Sequence, residues 1–519
     1  MPWSTRRRVD SVSVLIFHGY LLRGTGSNIY NANLVRALVA GGHEVHLLCQ
    51  DPAAEQLDFV DAVGSWSDGE LVVRTLREPV RCTAYRPDIG ELLPVYVADF
   101  YEGFTAKAFR DCSDGELATY VRANVAAVHD VVARVSPDAA LANHAVMGPL
   151  ILARALDDMV PYAVKIHGSA MEYTVRPQPE RFLPALLEGL AHARGVLVGS
   201  RHVAERLWEV AGDVRERTRL GPPGVDVTAF RPRPADEAAA NLGVLAEQLA
   251  ATTASWGGEA GAAETLRALD PGMHRIVTYL GKLIVSKGVD LLLAAWPLVT
   301  AQVPSARLCV VGFGTYRGAL GDIVDALARG DLDGLDEIAR QGRELEGGPP
   351  GELRYLRAFL DSLDDEAARN YRRAARATAG TIAFTGRLEH EALPLLLPAC
   401  SAQVVPSTFP EAYGMVAAEA AACGMLPVCA DHSGLAEVAA SLAESLDEPL
   451  RRLLTFPRGP DAVRDIAERL IVWLTLPDEQ RDRASAALAA VAQERYGWDR
   501  VAEGVLAAAH GHLGELSHP

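Results

Sequence analysis

No run of apolar residues in this 519-residue chain approaches the roughly 18–20 needed to span a bilayer. The N-terminus lacks the apolar stretch of a secretion signal. A cytosolic protein is expected, with peripheral docking as the one membrane role left open. Paired cysteines are missing too. Cys49, Cys82, Cys112, Cys309, Cys400, Cys423 and Cys429 are scattered and odd in number, most of them in apolar runs. That pattern suits reduced, buried thiols and not a disulfide framework. No C-x-x-C occurs, which argues against a structural zinc site. Positive charge is short: 50 Lys and Arg stand against 67 Asp and Glu, a formal net charge of -17. Such a chain is a poor candidate for wrapping nucleic acid. Its one basic cluster, Met1 to Arg8, reads as a solvated tail.

What is present is ordinary for a soluble globular chain. The length exceeds what one compact core usually holds, so two domains are expected. Ser11–Phe17 reads as a buried parallel strand, followed by a glycine-bearing loop, a helix from Asn28 to Ala40, and a strand at Val45–Cys49. That β-α-β opening resumes with strands at Asp138–Ala142, Tyr162–Ile166 and Gly195–Gly199. A second α/β set has strands at Arg275–Leu280, Ala306–Val311, Thr381–Thr385, Ala402–Val405 and Leu426–Cys429. The chain thus divides into an N-terminal Rossmann-like domain (1–230), a linker with a partly helical insertion (231–272) and a C-terminal Rossmann-like domain (273–490). The last residues (491–519) are expected to form a helix crossing back to the first domain. Between Gly314 and Thr378 lie roughly 60 residues without an obvious strand. A structureless loop of that length is unusual, so about 315–378 is expected to be a helical excursion, either a surface elaboration or a partner-binding or acceptor-covering element.

Open α/β sheets bind ligands beyond the carboxyl ends of their strands, so the residues just after each strand matter most. After the first strand, Gly24 and Gly26 could let backbone approach a phosphate at a helix start, or form an ordinary turn. The loop fails as a dinucleotide fingerprint, because Ile29 stands where the third glycine belongs. His167 ends another strand and is either a cleft residue or a satisfied structural histidine. Lys282 and Lys287 follow the strand at Arg275–Leu280, placed either to neutralise a diphosphate or to sit in water. The stretch Pro410–Gly424, PEAYGMVAAEAAACG, is more specific. Glu411 lies in a loop, Gly414 opens a helix, and Glu419 sits inside an alanine-rich run. The first N–H groups, at Gly414, Met415 and Val416, form an anion site. The flanking carboxylates suit vicinal hydroxyls. This is a layout for gripping a sugar, a diphosphate and a ribose.

Glu411-Ala-Tyr-Gly-Met-Val-Ala-Ala-Glu419 resembles the E-x7-E motif of retaining glycosyltransferases of family 4. Gly281–Gly288, Val311–Tyr316, Phe384–Leu388 and Gly224–Pro232 resemble further ordered motifs of that family. Lys282 stands where an arginine is usual, Gly24-Thr-Gly26 replaces a Gly-Gly pair, and Pro223 stands where asparagine is frequent. The resemblance implies an α/β GT-B fold, two Rossmann-like doubly wound domains facing a central cleft. It implies that Glu411 holds donor-sugar hydroxyls, Glu419 the ribose diol, and Lys282 and Lys287 the diphosphate, with Gly414, Met415 and Val416. Arg387 and Leu388 would border the base, Gly26 and Ser27 would approach the diphosphate, and His167 would contact the sugar. Asn28, Tyr30 and Arg201 are expected toward the acceptor.

The reaction so implied transfers a sugar from a nucleotide diphosphate to a hydroxyl with retention, on one face of the ring. Catalytic roles fall to His167, Glu411 and Lys287. No cofactor and no metal is expected, because cations and a helix N-terminus can stabilise the departing diphosphate. UDP-sugars are favoured as donors, with GDP-mannose as the other candidate. The acceptor is a small polar, phosphorylated or glycan hydroxyl. The competing reading is a non-catalytic sugar-nucleotide-binding protein of the same fold.

Overall fold

The structure is a computed structural model that describes residues 11–24, 26–96, 103–251 and 257–519. The basic tail Met1–Arg8 and Thr25 lie outside the described residues. The chain forms two compact units. The first comprises Met1–Gly224 with Trp498–Pro519, the second Val225–Gly497.

The first unit contains β1 (Ser13–Phe17), β2 (Glu44–Leu48), β3 (Ala62–Ser67), β4 (Glu70–Thr75), β5 (Cys82–Arg86), β6 (Leu92–Val95), β7 (Thr105–Ala108), β8 (Ala139–Asn143), β9 (Tyr162–Ile166), β10 (Gly195–Val198) and β11 (Thr218–Leu220). Among the described residues nine of these make one sheet, ordered β11-β10-β9-β8-β1-β2-β5-β3-β4. All neighbours are parallel except β3 and β4. That hairpin turns on Asp68 and Gly69, both at positive φ (52° and 82°), as a two-residue hairpin loop requires. The buried strands β1, β8 and β9 are short and apolar because helices cover both faces. The strand order reverses between β1 and β8, so the chain leaves their carboxyl ends in opposite directions and opens a crevice there.

The second unit holds β12 (Arg275–Leu280), β13 (Ala306–Val311), β14 (Ile382–Gly386), β15 (Ala402–Val405), β16 (Leu426–Ala430) and β17 (Thr455–Phe456). They form an all-parallel sheet ordered β14-β13-β12-β15-β16-β17. Here the order reverses between β12 and β15.

Three boundaries differ from the sequence reading. Within 231–272, expected to be a linker with a partly helical insertion, the described helices belong to the second unit. Helix Ala235–Ala251 buries Leu242, Leu245 and Ala246, and helix Ala262–Arg267 buries Leu266, all in the core of the second unit. An alanine- and glutamate-rich stretch looks solvated in sequence, yet its few leucines fall on one face. The first unit ends at Gly224 and not at residue 230. Phe230 is already in the second core. The helix Asp478–Tyr496 stays with the second unit, and the chain returns at Trp498. Helix Trp498–His510 then packs on the first core through Ala502, Val505 and Ala508. Residues 315–378 form helices Arg317–Arg329, Leu332–Gln341, Arg354–Asp361 and Asp365–Arg376. They are anchored to the second core by Leu320, Leu356 and Phe359, and by Tyr371, whose hydroxyl donates to the carbonyl of Ala294 at 2.7 Å.

Trp296 is, with Trp473, one of the two largest fully buried side chains of the second core. Its indole N–H donates to Thr381 Oγ1 at 3.0 Å. Trp296→Ala should lower the unfolding free energy of that unit by about 3–5 kcal/mol, measured by denaturant titration.

Candidate functional site

In the second unit the loops leaving β12 and β15 lie together. The backbone N–H of Thr408 donates to the carbonyl of Ser286 at 2.9 Å. Gly288 sits at φ +66°, and a Cβ there would stand 2.1 Å from the carbonyl oxygen of Pro406, so only glycine allows this approach. The close contact brings Lys287 to Glu411: Lys287 Nζ and Glu411 Oε1 form a salt bridge. The same oxygen accepts from Ser407 Oγ at 2.5 Å. Ser433 Oγ accepts from the backbone N–H of Glu411 at 2.9 Å. Glu411 O in turn accepts from the N–H of Gly434 at 3.0 Å. Both ends of the residue are therefore fixed, and the carboxylate stays partly exposed. Lys282 is exposed, and its carbonyl accepts from Tyr279 Oη at 2.8 Å.

Helix Met415–Ala422 begins four residues after Glu411, with Gly414 at its N-cap. The N–H groups of Met415 and Val416, in its first turn, have no helical carbonyl to reach. One turn further on, Glu419 is 2% exposed among alanines. Burying a carboxylate without a partner is costly, and Glu419 has one. His390 Nε2 lies 2.8 Å from its Oε1. Burial opposes protonation of His390, but the hydrogen bond and charge of Glu419 prevail and raise its pKa. Arg387 and Leu388 lie in the loop leading to His390. Arg387 donates its backbone N–H to Gly257 O at 2.8 Å, and its guanidinium pairs with Glu389 at 2.9 Å.

Two members of this site were not anticipated. His390 gives no sequence signal beyond following Phe384–Leu388. Glu346, in the 315–378 excursion, accepts from the backbone N–H of Val285 at 2.7 Å. It thereby steadies the short turn Val285–Lys287. The excursion is thus more than a surface elaboration, since it supports the lysine loop.

In the first unit, the carboxyl ends of β1, β8 and β9 deliver His18, Asn143, His144 and His167. His167 Nε2 lies 2.8 Å from Asn143 Oδ1. Asn31, from helix Gly26–Ala40, pairs both ways with Asn143, at 2.8 and 3.2 Å. Gly26 and Ser27 open that helix. Asn28 is buried rather than facing a ligand: its Oδ1 is 3.1 Å from His18 Nε2 and its Nδ2 donates to Arg23 O at 2.7 Å. Tyr30 is likewise buried, edge-on to His167 and to Trp498 at ring distances of 5.1 and 5.4 Å. Arg201 opens helix Arg201–Trp208, and its Nη2 donates to Pro519 O at 3.3 Å. Two buried groups near His167 were not foreseen. Lys165 is held against the carbonyl of Gly221, and burial lowers its pKa to about 7. His144 is buried among the rings of Tyr20, Tyr96, His18 and His167, with neither ring nitrogen hydrogen-bonded.

Two Rossmann-like units of this kind define the GT-B fold, and the comparisons agree. The Glycosyltransferase Family 4 sequence family matches residues 24–229, and Glycosyl transferases group 1 matches residues 363–488. Each part of the chain thus matches a glycosyltransferase family model. A D-inositol 3-phosphate glycosyltransferase of Xylanimonas cellulosilytica is 26% identical over 330 residues, covering 64% of this chain and 60% of that protein. A phosphatidyl-myo-inositol mannosyltransferase of Propionibacterium freudenreichii is 37% identical over 116 residues, 18% of this chain and 29% of that protein. The matches thus span less than two thirds of either curated relative. Among solved structures, sucrose-phosphate synthase of Thermosynechococcus elongatus superposes with a TM-score of 0.55 at 18% identity, covering 97% of this chain and 100% of that one. Anabaena HepE in complex with UDP-glucose gives 0.51 at 16%, again over 97% and 100%. Among the described residues no helix is long and apolar enough to cross a membrane.

The buried histidines carry a pH dependence. Burial pulls His18 down to about 4, and holds His144 and His167 well below the ordinary value of 6.5. Unfolding releases them to be protonated. Their contribution to stability is complete above about pH 6.5 and is lost as pH falls toward 4, at about 1.4 kcal/mol per pH unit for each histidine. His390, with a raised pKa, works in the opposite sense. Unfolding free energies measured by denaturant from pH 7.5 to 4.5 should fall steeply. His144→Phe, which keeps a ring among its neighbours, should take about one proton out of that slope.

Proposed function

We propose that this chain is a retaining glycosyltransferase that moves a sugar from a nucleotide diphosphate to a hydroxyl. The observation that carries the reading is the assembly at the second switch point: Glu411 braced by Lys287, Ser407 and Ser433, beside the free N–H groups that open helix Met415–Ala422. In this reading Glu411 takes up hydroxyls of the donor sugar. Lys287 and Lys282 neutralise the diphosphate, and the N–H groups of Gly414, Met415 and Val416 bind its oxygens. Glu419, paired with His390, accepts from the ribose diol, and Arg387 and Leu388 border the base. From the first unit, Gly26 and Ser27 approach the diphosphate, His167 meets the sugar, and Arg201 faces an anionic acceptor.

As the glycosidic bond to the diphosphate breaks, negative charge grows on the leaving oxygen. Preorganised cations and amide dipoles stabilise that charge without reorganising. The acceptor hydroxyl attacks on the same face and gives its proton to the departing phosphate. The carboxylates bind hydroxyls and form no covalent bond, so the pair differs in role from the two carboxyl groups of glycosidases. A UDP-sugar is the favoured donor, in keeping with the UDP and UDP-glucose held by neighbours of this fold. GDP-mannose is the alternative. The acceptor class, a small polar, phosphorylated or glycan hydroxyl, is in keeping with the inositol phosphate named for one relative.

Glu411→Ala should reduce transfer by about 100-fold or more while leaving circular dichroism unchanged. A variant that transfers at the wild-type rate would remove Glu411 from the site. UDP, GDP and ADP at one common concentration should be told apart by thermal shift, since a ligand of the native state alone adds about 2.7 kcal/mol where that concentration is about 100 times its Kd and almost nothing where it is far below Kd. Binding without transfer or donor hydrolysis across a donor panel would instead indicate a non-catalytic binding protein.

A further inference from the structure

The amide network of the first unit fixes which nitrogen of His167 carries a proton. Backbone carbonyls, which only accept, anchor it. Asn31 Nδ2 lies 2.9 Å from Ser27 O, so that end of the amide is the donor. Asn143 Nδ2 lies 3.3 Å from Phe17 O, so the same holds there. The two amides then pair with each nitrogen facing the other's oxygen. His18 agrees. Its Nε2 is 2.9 Å from Leu21 O and must donate, which leaves Nδ1 as an acceptor 3.0 Å from Asn31 Nδ2, whose two hydrogens are shared among this nitrogen, Ser27 O and Asn143 Oδ1. The atom of Asn143 that faces His167 Nε2 is therefore an oxygen, at 2.8 Å. An oxygen acceptor requires Nε2 to carry the hydrogen.

We infer that Asn143, held by Asn31, is a positioning residue that keeps His167 in the Nε2–H form, so that Nδ1 offers a lone pair to a ligand hydroxyl. The ligand half of this inference rests on the function proposed above, where the hydroxyl belongs to the transferred sugar. The surroundings favour the neutral ring. The titratable groups facing it are His144 from the end of β8, with rings 4.8 Å apart, Lys165 from β9, His18 from the end of β1, and Tyr30 edge-on from helix Gly26–Ala40. Burial is the chief cause, and the neighbours that act on its charge are all bases, which adds to that effect. His167 is thus built to accept a proton in a hydrogen bond and not to donate one to a leaving group. Replacing Asn143 by aspartate would leave the shape nearly unchanged, but would put an anion against Nε2–H and favour the cation.

The test is 15N NMR of the full chain labelled at histidine, with His167 assigned from the difference against His167→Gln. The wild-type signal should be that of a neutral ring protonated at Nε2 throughout pH 6–8. In Asn143→Asp its titration midpoint should rise by about 1–3 pH units. If transfer is confirmed, that variant's kcat/KM should lose activity toward low pH and recover as pH rises, with wild type flat over the same range. A neutral Nδ1–H ring or a cation in the wild type would overturn the inference. So would an Asn143→Asp protein whose His167 titrates as in wild type. Should Asn143→Asp not fold, the wild-type tautomer alone decides. The NMR measurement needs no turnover, so it stands or falls separately from the proposed function. A confirmed Nε2–H ring together with a flat pH profile in Asn143→Asp would overturn the ligand half alone.

Discussion

The second unit depends on one ion pair made possible by a glycine. Lys287 and Glu411 belong to loops 124 residues apart in sequence, and they meet because the strands bearing those loops, β12 and β15, are neighbours at the point where the sheet reverses its order. Gly288 lets one loop press against the carbonyl of Pro406 in the other. An exposed pair of this kind would add little to stability. Its value here is positional. A carboxylate beside a helix N-terminus, with a lysine on one oxygen and a serine on the same atom, keeps one orientation and leaves its second oxygen for a ligand. The Glu346 carboxylate reaches the same lysine turn from behind, so a segment outside both matched family regions bears on the site.

The first unit meets the same topological constraint with opposite chemistry. Its reversal lies between β1 and β8, and what gathers there is neutral: three imidazoles whose pKa values are lowered, chiefly by burial, and two carboxamides. Carboxamides cannot change charge, so they hold tautomers without creating a titrating partner. Charges would be poor tools at this depth, because each would need a counter-ion to offset its desolvation. Lys165 illustrates the cost. Buried beside Tyr30 and held against the carbonyl of Gly221, it has lost most of its basicity.

Much of this was legible in the sequence. The strands β1, β8, β9, β12, β13, β15 and β16 are short β-branched or apolar runs because they are buried on both faces, and that burial leaves a plain signature. β3 and β4 do not show it. They lie at the sheet edge, β4 is largely exposed, and only the Asp68-Gly69 turn betrays them. The carboxylate pair Glu411 and Glu419 stood out because acids in an alanine-rich run are unusual. Partners could not be read. His390 is 29 residues from Glu419, and Asn31 is 112 from Asn143. Asparagine and histidine are common enough that only the fold singles these out. Asn28 and Tyr30, which a loop motif placed toward an acceptor, are buried against His18, His167 and Trp498.

The two reversal points together suggest a division of labour. A developing phosphate charge is best met by fixed cations and amide dipoles, which the second unit gathers around Lys287 and the opening of helix Met415–Ala422. An uncharged sugar is best held by neutral donors and acceptors of fixed direction. A cation there would draw a water shell and could surrender a proton at the wrong moment. Burial and neighbouring bases keep His167 neutral, while the amide oxygen at Nε2 fixes which nitrogen carries the hydrogen. Losing the amide's direction would free the ring to present either nitrogen, while the buried bases would still resist its charging. Directional and electrostatic control of the imidazole are therefore separable. Asn143 supplies the first, and the packing of His18, His144 and Lys165 around it supplies the second.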